Sequence, residues 1–122
     1  MADIISGDKE YPCVPIELEV DRFHRDYHAY VDTGAEYGIH IPKDFIDEGY
    51  IKQKSVQEEV RTIDEKTVFV RIFLGVVKLG ERKFKTSIAV FGHGREVLLG
   101  REVLDNFKSC FDGPNKRLEI FL

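Results

Sequence analysis

The residues best suited to chemistry in this chain of 122 are Tyr30-Val31-Asp32-Thr33-Gly34-Ala35. A carboxylate directly follows an apolar stretch, and a hydroxyl and the smallest side chain come next. An Asp in that place sits at the mouth of a core, where desolvation or a second carboxylate shifts its pKa and suits it to acid–base work. Gly34 lets the backbone turn tightly and lets a ligand come close. Asp-Thr-Gly is equally an ordinary turn, so on these residues alone both readings stay open. Other clusters lead less far. His24 and His28 stand four apart, a metal-ligand spacing on a helix, but their surroundings read as strand and turn with no third ligand evident. Gly92-His93-Gly94 begins like a dinucleotide fingerprint, yet Val97 occupies the third glycine position and no long helix follows. No Ser or Cys has neighbours that would activate it as a nucleophile. Cys13 and Cys110 lack C-x-x-C spacing and read as two thiols of a reducing compartment.

The elements that must hold Asp32 read as mostly β. Ile16, Leu18 and Val20 alternate with Glu17, Glu19 and Asp21, the period of a half-buried strand. Residues 28–31 form a short strand that stops at Asp32. Pro42 and Gly49 bracket one or two helical turns over 43–49. Strands over 56–60 and 67–74 flank the polar tip Asp64-Glu65-Lys66 as a hairpin. A further strand covers 84–91, and Val97-Leu98-Leu99 is a buried strand ending at Gly100. Val103, Leu104 and Phe107 then share one face of a short helix over 101–107. Residues 109–112 and 117–121 flank the turn cluster Asp112-Gly113-Pro114-Asn115. Apolar strand, glycine turn and short helix thus occur twice, which hints at an internal pseudo-twofold.

Taken with its second copy, the hexapeptide resembles the active-site segment of the retropepsin-like aspartic proteases. Their pattern is two apolar residues, Asp-Thr/Ser-Gly-Ala, a flap hairpin, then two apolar residues, Gly-Arg and a short helix. Here Leu98-Leu99-Gly100-Arg101 with Val103-Leu104 supplies the second part, and order and spacing match over residues 14–121. The resemblance implies an all-β fold: a retropepsin-like closed barrel or sandwich with one or two short helices and a flap hairpin. It implies a peptidase without metal or other cofactor, acting on a peptide or protein substrate. One Asp-Thr-Gly per chain implies a homodimer in which two copies of Asp32 share a proton across the twofold axis. Thr33 would bond across that axis, and Gly34 would admit the substrate backbone. Ala35 and Glu36 would contact the peptide main chain, and Ile63 and Asp64 at the flap tip would lie over it. That tip, residues 62–67, lacks the glycines of viral members. The family usually has Asp where this chain has Glu36, so a Glu36–Arg101 ion pair is expected. Residues 117–122, with Leu118, Ile120 and Leu122 alternating, would interleave with the partner's chain ends. The alternative is a non-catalytic peptide-binding or protein-interaction module on the same fold.

Composition agrees with a single domain over 1–122, its first ten residues a flexible or edge-pairing arm. The net charge of −4 argues against a nucleic-acid partner. Residues 1–60 carry 6 basic and 14 acidic side chains, a net of −8, and residues 61–122 carry 12 and 8, a net of +4. Opposed halves can attract within a fold or between subunits, although scattered surface charge gives the same count. No apolar run approaches the ~20 residues that span a bilayer, so no membrane partner is expected. The first ten residues lack a basic then apolar leader pattern, and the expectation is a cytoplasmic protein.

Overall fold

The computed structural model describes residues 1–6 and 12–122, so residues 7–10 of the expected arm lie outside the described residues. Strands β2 (Cys13–Val20) and β3 (Phe23–Val31) pair as a hairpin from Cys13↔Tyr30 to Val20↔Phe23. The alternation read in β2 is its burial pattern: Ile16, Leu18 and Val20 are buried. The strand β3 starts five residues earlier than predicted. Its polar stretch His24-Arg25-Asp26 shows no period-two signal, and pairing to β2 is what extends it.

Beyond the hairpin come β4 (Ile39–Ile41), β5 (Val56–Arg61), β6 (Thr67–Leu79), β7 (Arg82–Val90) and β8 (Val97–Leu99). Strands run in the order β2-β3-β8-β4-β7-β6, and β6 returns to β2 through Glu17↔Lys78, Leu18↔Val77 and Glu19↔Val76. The result is a closed six-strand barrel, whose closure removes the exposed edges of an open sheet. Its interior is apolar and mainly aliphatic: Leu18, Ile39, Leu79, Ile88 and Leu99 are all fully buried. The all-β expectation holds, with a barrel as its form.

The helical content is small. Residues 43–49 form two 3-10 turns, Lys43–Phe45 and Glu48–Tyr50, and α1 spans only Arg101–Leu104. Here α1 ends early because the Asn106 side chain donates to the carbonyls of Glu102 and Val103, which then have no need of a further helical turn. Phe107 still packs inward, its ring 5.9 Å from that of Phe84. Among the described residues no helix is long and apolar enough to cross a membrane.

The C-terminal strand, expected to pair with a partner's chain ends, is paired on both sides within its own chain. Strands β9 (Lys108–Asp112) and β10 (Arg117–Phe121) form the predicted hairpin, and β1 (Ile4–Ser6) lies antiparallel along the other side of β10. Both edges of β10 are therefore satisfied within one chain. The outer edges of this three-strand sheet belong to β1 and β9. Cys13 is buried in β2 and Cys110 exposed on β9, with no disulfide between them.

Candidate active site

Asp32 is placed by the pairing of its strand. Strand β3 runs parallel to β8, Val31 facing Leu99, and the Asp32 amide donates to the Leu99 carbonyl at 3.0 Å. The chain then turns: the Gly34 amide donates to Asp32 Oδ1 at 2.9 Å, and the Ala35 amide to the Asp32 carbonyl at 3.2 Å. One carboxylate oxygen is thus oriented by its own loop. The side chain is half-buried, and Thr33 beside it is exposed.

The second motif locks this loop from below. Amides of Gly100, Arg101 and Glu102 donate to the carbonyls of Gly38, Ala35 and Glu36 at 2.9, 2.8 and 3.2 Å. So close is the packing that a Cβ on Gly100 would lie 1.9 Å from the Tyr37 carbonyl oxygen. Asp-Thr-Gly-Ala and Leu-Leu-Gly-Arg are two halves of one backbone joint.

A carboxylate braces the joint from α1. Glu102 accepts the Thr86 hydroxyl at 2.7 Å and both the amide and hydroxyl of Ser87 at 2.8 Å. Burial raises its pKa, but these bonds outweigh it and hold the carboxyl below its ordinary 4.5. Thr86 is the only buried polar side chain among the described residues. Glu102→Ala should therefore cost about 1–3 kcal/mol by orphaning that hydroxyl, read by urea denaturation. With the folded pKa depressed, the ionised bonds contribute fully above the unfolded pKa and are lost as pH falls through the folded one. The stability gap between wild type and Glu102→Ala should accordingly be full at neutral pH and narrow in acid; a gap independent of pH would contradict the assignment.

The expected Glu36–Arg101 ion pair is absent. The Arg101 guanidinium lies 3.6 Å from Asp105, one helical turn on, and the two segments meet through main-chain bonds alone. Its short reach along α1 gives Arg101 a partner without crossing to Glu36.

Asp32 opens onto a depression of about 330 Å³ that includes Tyr30, Glu96 and Leu98. A second, of about 350 Å³, shares Glu96 and Leu98 and runs on to His40 and Phe91. The two adjoin at Glu96 and Leu98, and His93 and Arg95 also line the second. The His40 ring sits 5.2 Å from Tyr37 and 5.6 Å from Phe91, and its buried Nε2 has no hydrogen-bond partner among the described residues. Burial lowers its pKa against the opposing pull of Asp32 and Glu36, so the imidazole is neutral at neutral pH. Tyr37 donates its hydroxyl to Glu58 on β5. Burial and that carboxylate push the phenol up to about 12, keeping it a donor.

The β5–β6 hairpin is tied to this region by the Tyr37–Glu58 bond. Pairing of β6 with β7 begins only at Arg71↔Val90, so residues 67–70 pair with β5 alone and project beyond the barrel. Its inner side contributes Val60, Val68, Val70 and Ile72, which cluster with Ala89 and Tyr37 apart from the barrel core. The tip closes without glycine because Glu65 takes a φ of 65° and Thr62 bonds both the Asp64 carboxylate and the Lys66 carbonyl. Ile63 is wholly exposed there, and Asp64 is turned back toward Thr62 and Lys66.

The sequence reading did not single out Tyr37, His40 or Glu58 as site residues. A polar His40 between the buried Ile39 and Ile41 was the available signal, marking the outer face of a strand near Asp32. It also saw no third ligand for His24. The β2–β3 register brings Glu17 and Asp26 to it, ligand atoms within 4.8 Å, but not His28; Lys78 already answers Glu17 at 3.4 Å. Among known proteins, no family model and no curated sequence matches this chain.

Proposed function

We propose that the chain is an aspartic endopeptidase of retropepsin-like type, active as a homodimer. The observation that carries this reading is the joint at Gly100, which holds a single oriented carboxylate, Asp32, at the edge of a depression bordered by Tyr30, Glu96 and Leu98. One Asp-Thr-Gly gives half a dyad, and a twofold axis beside Asp32 would complete it. Two such carboxylates cannot both ionise cheaply, so they share one proton. The ionised Asp32 takes a proton from water as it attacks the scissile carbonyl, and the protonated mate donates to the carbonyl oxygen. The tetrahedral intermediate collapses with proton return to the leaving amine, breaking the C–N bond. No side chain forms a covalent intermediate.

Within the dimer, Thr33 is free of hydrogen-bond partners among the described residues of its own chain and suits a bond across the axis. With β10 flanked on both sides, a shared sheet would use the outer edges of β1 or β9 instead. Sedimentation velocity should show a dimer at working concentration, and a peptide carrying a hydroxyl in place of the scissile carbonyl should bind one per dimer. A species that stays monomeric with that peptide present would sink the reading. The rate of cleavage should follow a bell-shaped pH profile, as a shared-proton dyad requires.

A further inference from the structure

We propose that β9 is the strand through which two copies of this chain join, lying antiparallel against its own copy with Cys110 opposite Cys110. The inference deepens the homodimer reading of the peptidase, on which it rests for a second copy. It starts from an open edge. Among the described residues β9 pairs with β10 alone, so its other side presents backbone donors and acceptors that a strand of a second molecule can complete. The other open edge, β1, offers three residues against five in β9.

The side chains suit a copy of the same strand. Phe111 pairs with Leu118 and Ser109 with Ile120, which puts all four on one face of the sheet. Leu118 and Ile120 are buried in the apolar core, whereas Phe111, on the outer strand of that face, is 51% exposed. A second copy would cover it. Lys108, Cys110 and Asp112 share the opposite face, and neither charged group has an ion-pair partner within 4.0 Å among the described residues. Centred on Cys110, self-pairing brings Lys108 of each chain opposite the partner's Asp112, and Ser109 opposite the partner's Phe111. Opposite charges then face each other at both ends of the contact, as its twofold symmetry requires. A slip of one residue loses both charge pairs and opposes unlike faces. Only residues 101–107 separate β9 from the Gly100 joint, so one axis can pass beside both Cys110 and Asp32.

Register supplies the test. Directly opposed residues of antiparallel strands have Cα atoms about 4.5–5.5 Å apart, inside the disulfide range. Diamide, which takes up the two electrons and two protons of a thiol pair, should therefore yield a dimer linked through Cys110 on a non-reducing gel, Cys13 being buried. A thiol moved two residues, Lys108→Cys with Cys110→Ser, is also exposed but lies about 14 Å from its own copy, and should cross-link about tenfold more slowly. Equal rates at the two positions would mean random collision and overturn the proposal, as would a failure of Cys110 to cross-link. In reducing buffer Lys108→Asp, which sets like charges against each other at both ends, should raise the dimer dissociation constant about tenfold by sedimentation. An unchanged constant also overturns it. Peptide cleavage separates the two readings: a cleaving dimer without Cys110 cross-linking refutes this interface alone, and a Cys110-linked dimer that does not cleave refutes the peptidase alone.

Discussion

Asp32→Asn is expected to lower peptide cleavage by about a thousandfold or more, with fold and subunit association unchanged. Asn keeps the shape of the side chain and can still accept the Gly34 amide, so the turn has no reason to move. What it loses is the ability to take up a proton. In the homodimer both members become amides, neither of which can take up or give a proton, and the water is no longer activated. Steady-state cleavage of a quenched fluorescent peptide measures the first effect, and circular dichroism with sedimentation measures the second. Undiminished cleavage would remove Asp32 from the chemistry.

The second large effect concerns a residue that never meets substrate. Gly100→Ala would put a Cβ 1.9 Å from the Tyr37 carbonyl oxygen and 2.8 Å from that of Ala35, and both contacts are backbone. Neither can swing aside as a side-chain end would. Relief requires parting the two loops, which strains or breaks the bonds from Gly100, Arg101 and Glu102. A loss of about 3 kcal/mol or more in unfolding free energy is expected. Any surviving fold should also cleave poorly, since a displacement on the order of 1 Å at a catalytic group costs about a hundredfold. Gly113→Ala supplies the contrast. A Cβ there meets nothing within 4 Å, and the change should fall within about 0.5 kcal/mol of wild type. If the two substitutions prove equally mild, the Gly100 joint is not the support proposed for Asp32.

These two glycines also show which parts of the architecture were legible in sequence. Apolar alternation assigned faces, so Ile16, Leu18 and Val20 were placed inward correctly, and turn chemistry located the β5–β6 and β9–β10 hairpins. Alternation names no partner strand. That β6 would close on β2, or that β1 would cover the free side of β10, depends on pairing between distant segments, which leaves no local period. The ion-pair expectation failed for a related reason. Arg101 had a nearer acid at i+4, and main-chain bonds already joined the segments that Glu36 and Arg101 were meant to link. Tyr37, His40 and Glu58 escaped notice because each is unremarked in its own stretch. They meet, Tyr37 bonding Glu58 with its ring beside that of His40, only once β4, β5 and the Asp32 loop are brought together. The turn at Asp32 was readable because it is local, closed by the Gly34 amide on the Asp32 carboxylate.

The central claim, one active site shared by two chains, is tested most directly by mixing. Wild-type and Asp32→Asn chains are combined in equal amounts, unfolded together and refolded, and activity is compared with the same total concentration of wild type. Random pairing makes about one dimer in four wholly wild type, and only that one holds a complete dyad. Activity should fall to about a quarter. A fall to one half would mean that each chain cleaves with its own Asp32, and would contradict the shared site.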